Sequence, residues 1–236
     1  MSDYIPNMDV LAVVPARAGS KRLPGKNTMK LSGKPLISWT LDAAQESQVI
    51  DLLVVSSDDE RVLALGQQSG ARTLRRPQNL AQDTSSTYDV LLHTLEYLAQ
   101  AGLRPARIML LQPTSPLRDA DYIRSAVALM DSTQAQSVVS VCPCDHSPLW
   151  CNTLDPLGTM DHFLSPSLLN QRSQDLPQYY RLNGAIYIAK TESFIENKGF
   201  FMANSKAYVM PSERSVDIDT IIDFKLCQII IENFSR

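Results

Sequence analysis

An α/β fold, a mostly parallel sheet flanked by helices, is predicted by two features of the sequence. Strand-sized, continuously apolar runs alternate with segments of helical periodicity. The residues just after those runs are rich in Gly, Pro and polar side chains. Strands covered by helices on both faces lose the polar alternation of half-exposed strands, and the crossover helices make them parallel. In such sheets ligands bind outside the carboxyl ends of the strands. A Rossmann-like architecture follows, in one domain over residues 1–236, with a small protruding subdomain inserted at 145–182.

The elements follow in order. Residues 10–14 form the first apolar run, and 35–46 carry Leu36, Ile37, Trp39, Thr40, Leu41 and Ala44 at helical spacing. A strand is expected at 52–56 and a helix at 61–68, closed by Gly70. Residues 87–100 predict a helix ending at Gly102, 108–111 a short buried strand, 122–130 a helix and 137–141 a strand. The alternation fails over 145–182, where Pro148, Pro156, Pro166 and Pro177 interrupt a segment holding Trp150, Phe163, Leu168, Leu169, Tyr179 and Tyr180. That is too apolar for a linker. It reads as an insertion packing on a partner subunit, with an active-site lid as the rival. Regular structure resumes with strands at 184–188 and 207–210 and a last helix at 221–234.

The bulk numbers narrow the class. With 236 residues and a net charge of −3, the chain is not expected to coat nucleic acid or an anionic membrane. Its longest apolar runs are strand-sized, so no transmembrane helix is expected. Residues 1–4 lack the basic and apolar regions of a signal peptide. The four cysteines form no C-x-x-C pair and the three histidines show no zinc spacing, which suits a reduced, cytoplasmic enzyme.

Chemistry concentrates in residues 13–27, which follow the first strand. Arg17, Lys21, Arg22 and Lys26 bring four cations into ten positions, with Gly19 and Gly25 between them. Glycines permit positive φ and close backbone approach, and successive N–H groups there form an anion-binding nest. Five residues, Pro24 among them, separate the glycines, and Asn27 follows Lys26, so this is no P-loop. The G-x-G-x-x-G spacing of dinucleotide sites is absent as well. A different phosphate loop is expected.

Five further segments join it. Asp217 and Asp219, two apart, would share a face of an extended chain and converge on one hard divalent ion with substrate phosphates completing its shell. Asp219 or Thr220 also reads as the cap of the last helix, with Asp223 closing a capping box. Arg76 precedes residues 80–87, where a helix N-terminus would face a nucleotide. Gln112 ends a buried strand, followed by Pro113, Thr114, Ser115 and Pro116. Arg181 to Tyr187 rejoin the insertion to the sheet, and Phe200 and Phe201 read either as core or as an apolar wall for an acyl group.

Five motifs, PARAGSKRLPGKN, RRPQNLAQDTSST, LQPTSPLR, RLNGAIYI and SVDIDT, stand in this order. Together they make the chain resemble the acylneuraminate cytidylyltransferases (CMP-sialic acid synthetases) over nearly its whole length. The resemblance implies a nucleotide-diphospho-sugar transferase fold and a reaction of CTP with an acidic nine-carbon sugar, giving the CMP-sugar and diphosphate with Mg²⁺. It implies that Arg17, Ser20, Lys21, Lys26 and Asn27 hold the triphosphate, and that Arg76, Ser85 and Thr87 help hold cytidine. Gln112, Tyr187, Phe200 and Phe201 would contact the sugar, Arg172 its carboxylate, and Asp217 and Asp219 the metal. Lys26, Arg17, Asp217 and Asp219 would carry catalysis. The insertion would correspond to a dimerisation subdomain reaching the neighbouring site, making a homodimer. The loop reads Lys-Arg-Leu-Pro-Gly-Lys where sialic acid enzymes commonly have Lys-Gly-Leu-Pro-x-Lys, and Arg172-Ser173 stands where relatives often carry paired basic residues. The same reaction on legionaminic or pseudaminic acid is the nearest alternative, followed by 3-deoxy-manno-octulosonate and a non-catalytic nucleotide-binding regulator.

Overall fold

A computed structural model describes residues 8–82 and 84–234; the signal-peptide expectation, resting on residues 1–4, lies outside them. The elements are β1 (Val10–Pro15), a two-residue hairpin of β2 (Lys30–Leu31) and β3 (Lys34–Pro35), α1 (Leu36–Glu46), β4 (Leu52–Ser57), α2 (Glu60–Gln68) and β5 (Arg72–Arg75). Then come α3 (Thr87–Gln100), β6 (Arg107–Leu110), α4 (Ala120–Thr133), β7 (Ser137–Pro143), β8 (Tyr180–Lys190), α5 (Thr191–Glu196), β9 (Ser205–Val209) and α6 (Ile221–Phe234).

Seven strands form one sheet in the order β5-β4-β1-β6-β8-β7-β9. The pairs from β5 to β6 are parallel, and β9 runs parallel to β7. Strand β8 is antiparallel to both its neighbours. Strand β1 shows why its apolar run is unbroken. Val10, Ala12 and Val14 pack with α1, α2 and α4, while Leu11 and Val13 pack on the other face with α3 and Phe194 of α5. A third, smaller cluster seats Phe224 and Cys227 of α6 on Leu31, Leu36 and Leu117, beside the carboxyl ends of the parallel strands.

Besides the two-residue strands β2 and β3, two elements escape the periodicity. The edge strand β5, Arg-Thr-Leu-Arg, buries only Leu74, so it has no apolar run to display. Helix α5 is six residues long, too short for a helical stripe. Residues 145–179 contain only short 3₁₀ turns at Pro148–Trp150, Pro166–Leu168 and Ser173–Asp175 and leave Leu154, Leu157, Met160 and Leu169 exposed. Residues 180–182, expected in the insertion, already belong to β8 through their pairing with β7. Cys142 and Cys227 are buried, Cys144 is half-buried and Cys151 exposed, and all four are free thiols. Among the described residues no helix is long and apolar enough to cross a membrane.

Candidate nucleotide and sugar site

A cleft of about 630 Å³ opens at the carboxyl ends of β1, β5 and β6, where the topology predicts a ligand. It is lined by Arg17, Ser20, Lys21, Lys26, Asn27, Arg76, Ser85, Thr87, Gln112, Asp217 and Asp219 together. A larger cavity of about 880 Å³ lies at the opposite end of the sheet, between α3 and Arg107, Lys190 and Glu192. None of the five motifs contributes a residue to it. Convergent chemistry, rather than size, marks the smaller cleft as the site.

The basic loop is tied down at both ends. The Ala16 amide donates to Ser56 O at 3.0 Å and the Ala18 amide to Asp58 Oδ1 at 2.9 Å, hanging the loop from the end of β4. Gly25 has φ +68°, the left-handed conformation that lets the chain turn into the 3₁₀ turn Lys26–Thr28. Gly19 does not use a positive φ. Asn27 is buried and donates through Nδ2 to Arg17 O at 3.1 Å, so it holds the loop's shape as well as facing the cleft.

Arg76 is buried at the end of β5, donating through Nη2 to Ser56 O at 2.8 Å. Burial pushes its guanidinium below the ordinary arginine range; Asp58 opposes the shift and the charge of Arg17 adds to it. A buried guanidinium with a second arginine nearby concentrates positive charge at this side of the cleft. Ser86 caps α3, accepting from the Asp89 amide at 3.1 Å and donating to Asp89 Oδ2 at 2.7 Å. The positive end of α3 therefore faces the same cleft, with Thr87 at its first turn.

The carboxylate segment meets this basic wall. Lys26 Nζ donates to Ile218 O at 2.7 Å and to Asp219 Oδ1 at 3.1 Å, and Arg22 Nη1 donates to Asp219 Oδ2 at 2.7 Å. Thr220 takes the capping role on α6. Its Oγ1 accepts from the Asp223 amide at 3.3 Å, and its own amide donates to Asp223 Oδ2 at 2.7 Å. That frees the Asp219 carboxylate from capping, and its two oxygens pair with Lys26 and Arg22 at the edge of the cleft. Asp217 differs from Asp219, because its Oδ1 is buried without a hydrogen-bond partner. Burial pushes the Asp217 carboxyl above the usual range; a hydrogen bond from Thr114 lowers it, Asp219 raises it and Lys26 lowers it. A buried, unpartnered carboxylate oxygen beside a second carboxylate fits a hard divalent cation. Among the described residues no group of three or more His, Cys, Asp or Glu could hold a metal, so the remaining ligands would come from nucleotide phosphates or water.

On the sugar side the expectations divide. Gln112 lies in the cleft against Gly184, whose φ is +75° and where a methyl group would stand 2.5 Å from Gln112 Oε1. Tyr187 does not line the cleft; it packs on the core beside Phe200, where burial and then the Asp217 charge raise its phenol above the ordinary range. Phe200 is buried in the core, its ring 5.5 Å from Tyr187 and 4.9 Å from Phe194, so it backs the wall instead of lining it. Phe201 is exposed outside the cleft. Arg172 does not reach the cleft either; it sits on the exposed insertion and pairs with Asp175 at 2.9 Å.

Three residues join the site that sequence reasoning left out of it. Arg22 was visible as a cation of the loop, but its bond to Asp219 spans 197 positions. Thr114 offers its carbonyl to the Ile218 amide at 2.8 Å, and its side chain lowers the Asp217 carboxyl. Asp58 anchors the basic loop. Thr114 and Asp58 are polar residues just after strand ends, which is the local signal they carry.

Residues 11–209 match the family model described as Cytidylyltransferase. The chain is 42% identical over 233 residues to a CMP-N,N'-diacetyllegionaminic acid synthase of Legionella pneumophila, covering 95% of this chain and 97% of that one. It is 36% identical over 229 residues to an N-acylneuraminate cytidylyltransferase of Escherichia coli O18:K1:H7, covering 96% of this chain. There it spans about half of the relative, 53% of its length. Among solved structures, a CMP:2-keto-3-deoxy-manno-octonic acid synthetase complexed with CTP matches with a TM-score of 0.68 at 17% identity, over 95% of this chain and 98% of that one. At that identity the likeness shows the fold, that of the nucleotide-diphospho-sugar transferases.

Proposed function

The chain belongs to the cytidylyltransferase family and is a nucleotidyltransferase, and from that premise we propose that it transfers CMP from CTP to a sialic-type nonulosonic acid, releasing diphosphate. N-acylneuraminate is the sugar proposed first. N,N'-diacetyllegionaminic acid is the second reading, favoured by the 42% identity to a synthase of that name over nearly the whole of both chains. One observation carries the proposal: the basic loop, Arg76, the N-terminus of α3 and two carboxylates line a single cleft.

In this reading Arg17, Lys21 and Arg76 neutralise the triphosphate, with the free N–H groups of α3 beside them. Ser20, Ser85 and Thr87 contact the nucleotide, and Gln112 and Tyr187 orient the sugar. The anomeric hydroxyl attacks the α-phosphorus in line; its oxygen–phosphorus bond forms as the bond to the departing diphosphate breaks. Lys26, already seated between Ile218 O and Asp219, holds the charge that develops at the α-phosphate. Asp217 and Asp219 would hold Mg²⁺, which when bound offsets phosphate charge and acidifies the hydroxyl. The insertion acts as a dimerisation subdomain, bringing Arg172 or its neighbours to the other protomer's sugar.

A diphosphate-release assay tests this with CTP, Mg²⁺ and a panel of N-acetylneuraminate, diacetyllegionaminate, pseudaminate and 3-deoxy-manno-octulosonate. Turnover with CTP and one or both of the first two acids is expected, and chelation of the metal abolishes it. No diphosphate with any acid, together with no CTP binding by calorimetry, would refute the proposal.

A further inference from the structure

Arg118 is among the largest fully buried side chains, at 1% exposure. Its Nη1 donates to Ala185 O at 2.8 Å and Gln112 O at 3.3 Å, while Nε and Nη2 have no hydrogen-bond partner. The adjoining Asp119 carboxylate is occupied in capping α4, accepting from the Asp121 and Tyr122 amides. Asp119 acts on the guanidinium only through space, and burial lowers the arginine to about 9. A methionine would fill this volume without the cost of taking a charge out of water. The cation is kept where its only hydrogen bonds converge on two carbonyls beneath the cleft.

Those carbonyls belong to different elements. Gln112 O follows the end of β6, and Ala185 O lies on β8 directly after Gly184, against which the Gln112 side chain packs. Two residues on from Gln112, the Thr114 carbonyl holds the Ile218 amide of the carboxylate segment. We propose that Arg118 is a positioning residue: it fixes the spacing of β6 and β8 under the cleft, and through it the placement of Gln112 and of the segment bearing Asp217. The inference rests on reading the cleft as the site of cytidylyl transfer to an acid sugar.

Arg118→Met keeps the volume and removes every donor, and Arg118→Lys keeps the charge. In the Met variant we expect the acid-sugar KM to rise and kcat to fall, lowering kcat/KM about 10- to 100-fold. Its CTP affinity by calorimetry should stay within about twofold, because separate bonds hold the basic loop. Arg118→Lys should recover part of the loss. A merely structural role would reduce the melting temperature and the active fraction, moving kcat alone with both KM values unchanged; that result overturns the proposal, as does a folded Met variant with the kinetics of the parent. Should the Met variant fail to fold, an unchanged sugar KM in Arg118→Lys overturns it. Should the parent enzyme form no CMP-sugar, the functional reading fails separately. Crystal structures of the two variants then decide positioning: a shifted Gln112 and a lost Thr114–Ile218 bond support it, and an unmoved cleft floor rejects it.

Discussion

Lys26 and Asp217 are neighbours in the cleft with opposite demands on the fold. Lys26 is satisfied by Ile218 O and Asp219 before any ligand is considered, so it stands ready at one position. Lys26→Ala should lower kcat about 100- to 1,000-fold, with a much smaller loss of CTP affinity by calorimetry; an unchanged kcat would remove its proposed role. Asp217 is held at a cost, with a buried oxygen unpartnered and its carboxyl pushed up by burial. A raised native pKa makes the folded state the tighter proton binder. The group therefore favours folding below that pKa and opposes it above. Asp217→Asn should raise the melting temperature at pH 8 by about 1–4 °C, and the gain should shrink as pH falls through the titration of Asp217. The same variant should lose metal-dependent turnover, which separates function from stability.

Elements present these residues by bending where the backbone allows. Strand β7 shifts register between Val139 and Val141, and the intervening Ser140 donates to Asn183 Oδ1 at 2.6 Å. Asn183 in turn donates to Ser215 Oγ at 2.9 Å, so a buried polar chain ties the bend in β8 to the start of the carboxylate segment. Gly184 completes the bend. A Gly184→Ala variant must adopt a strained φ and push Gln112 aside, which should cost about 1–3 kcal/mol and about 2–10 °C of melting temperature. Scanning calorimetry checks the stability, and a raised sugar KM with CTP affinity retained checks the displacement of Gln112.

Across the whole molecule, one cleft gathers the basic loop, Arg76, the N-terminus of α3 and Gln112; on the proposed function the first three make the nucleotide wall and Gln112 belongs to the sugar wall. The insertion, with Leu157 at 88% and Leu154 at 61% exposure, offers apolar surface and no route for Arg172 into its own cleft. On the dimer reading, the double variant Leu154→Asp, Leu157→Asp should sediment as a monomer at concentrations where the parent is a dimer. Its kcat/KM for the sugar should fall about tenfold or more, with CTP binding retained. A parent protein that sediments as a monomer would end that reading.

The sequence by itself determined the layered α/β class, most helices and strands, and the basic and polar residues, from Arg17 through Thr87, that line the cleft. Those features are local: an apolar run reports burial on both faces, and cations beside Gly25 report an anion site within a dozen residues. Tertiary structure alone decided the reversed direction of β8, the burial of Phe200, the fate of Asp219 and the place of Arg118. Lys26 and Asp219 meet across 193 positions, and Arg118 reaches Ala185 across 67. No periodicity encodes such pairings, because they follow from which strands lie side by side and which side chains the packed layers then exclude from water.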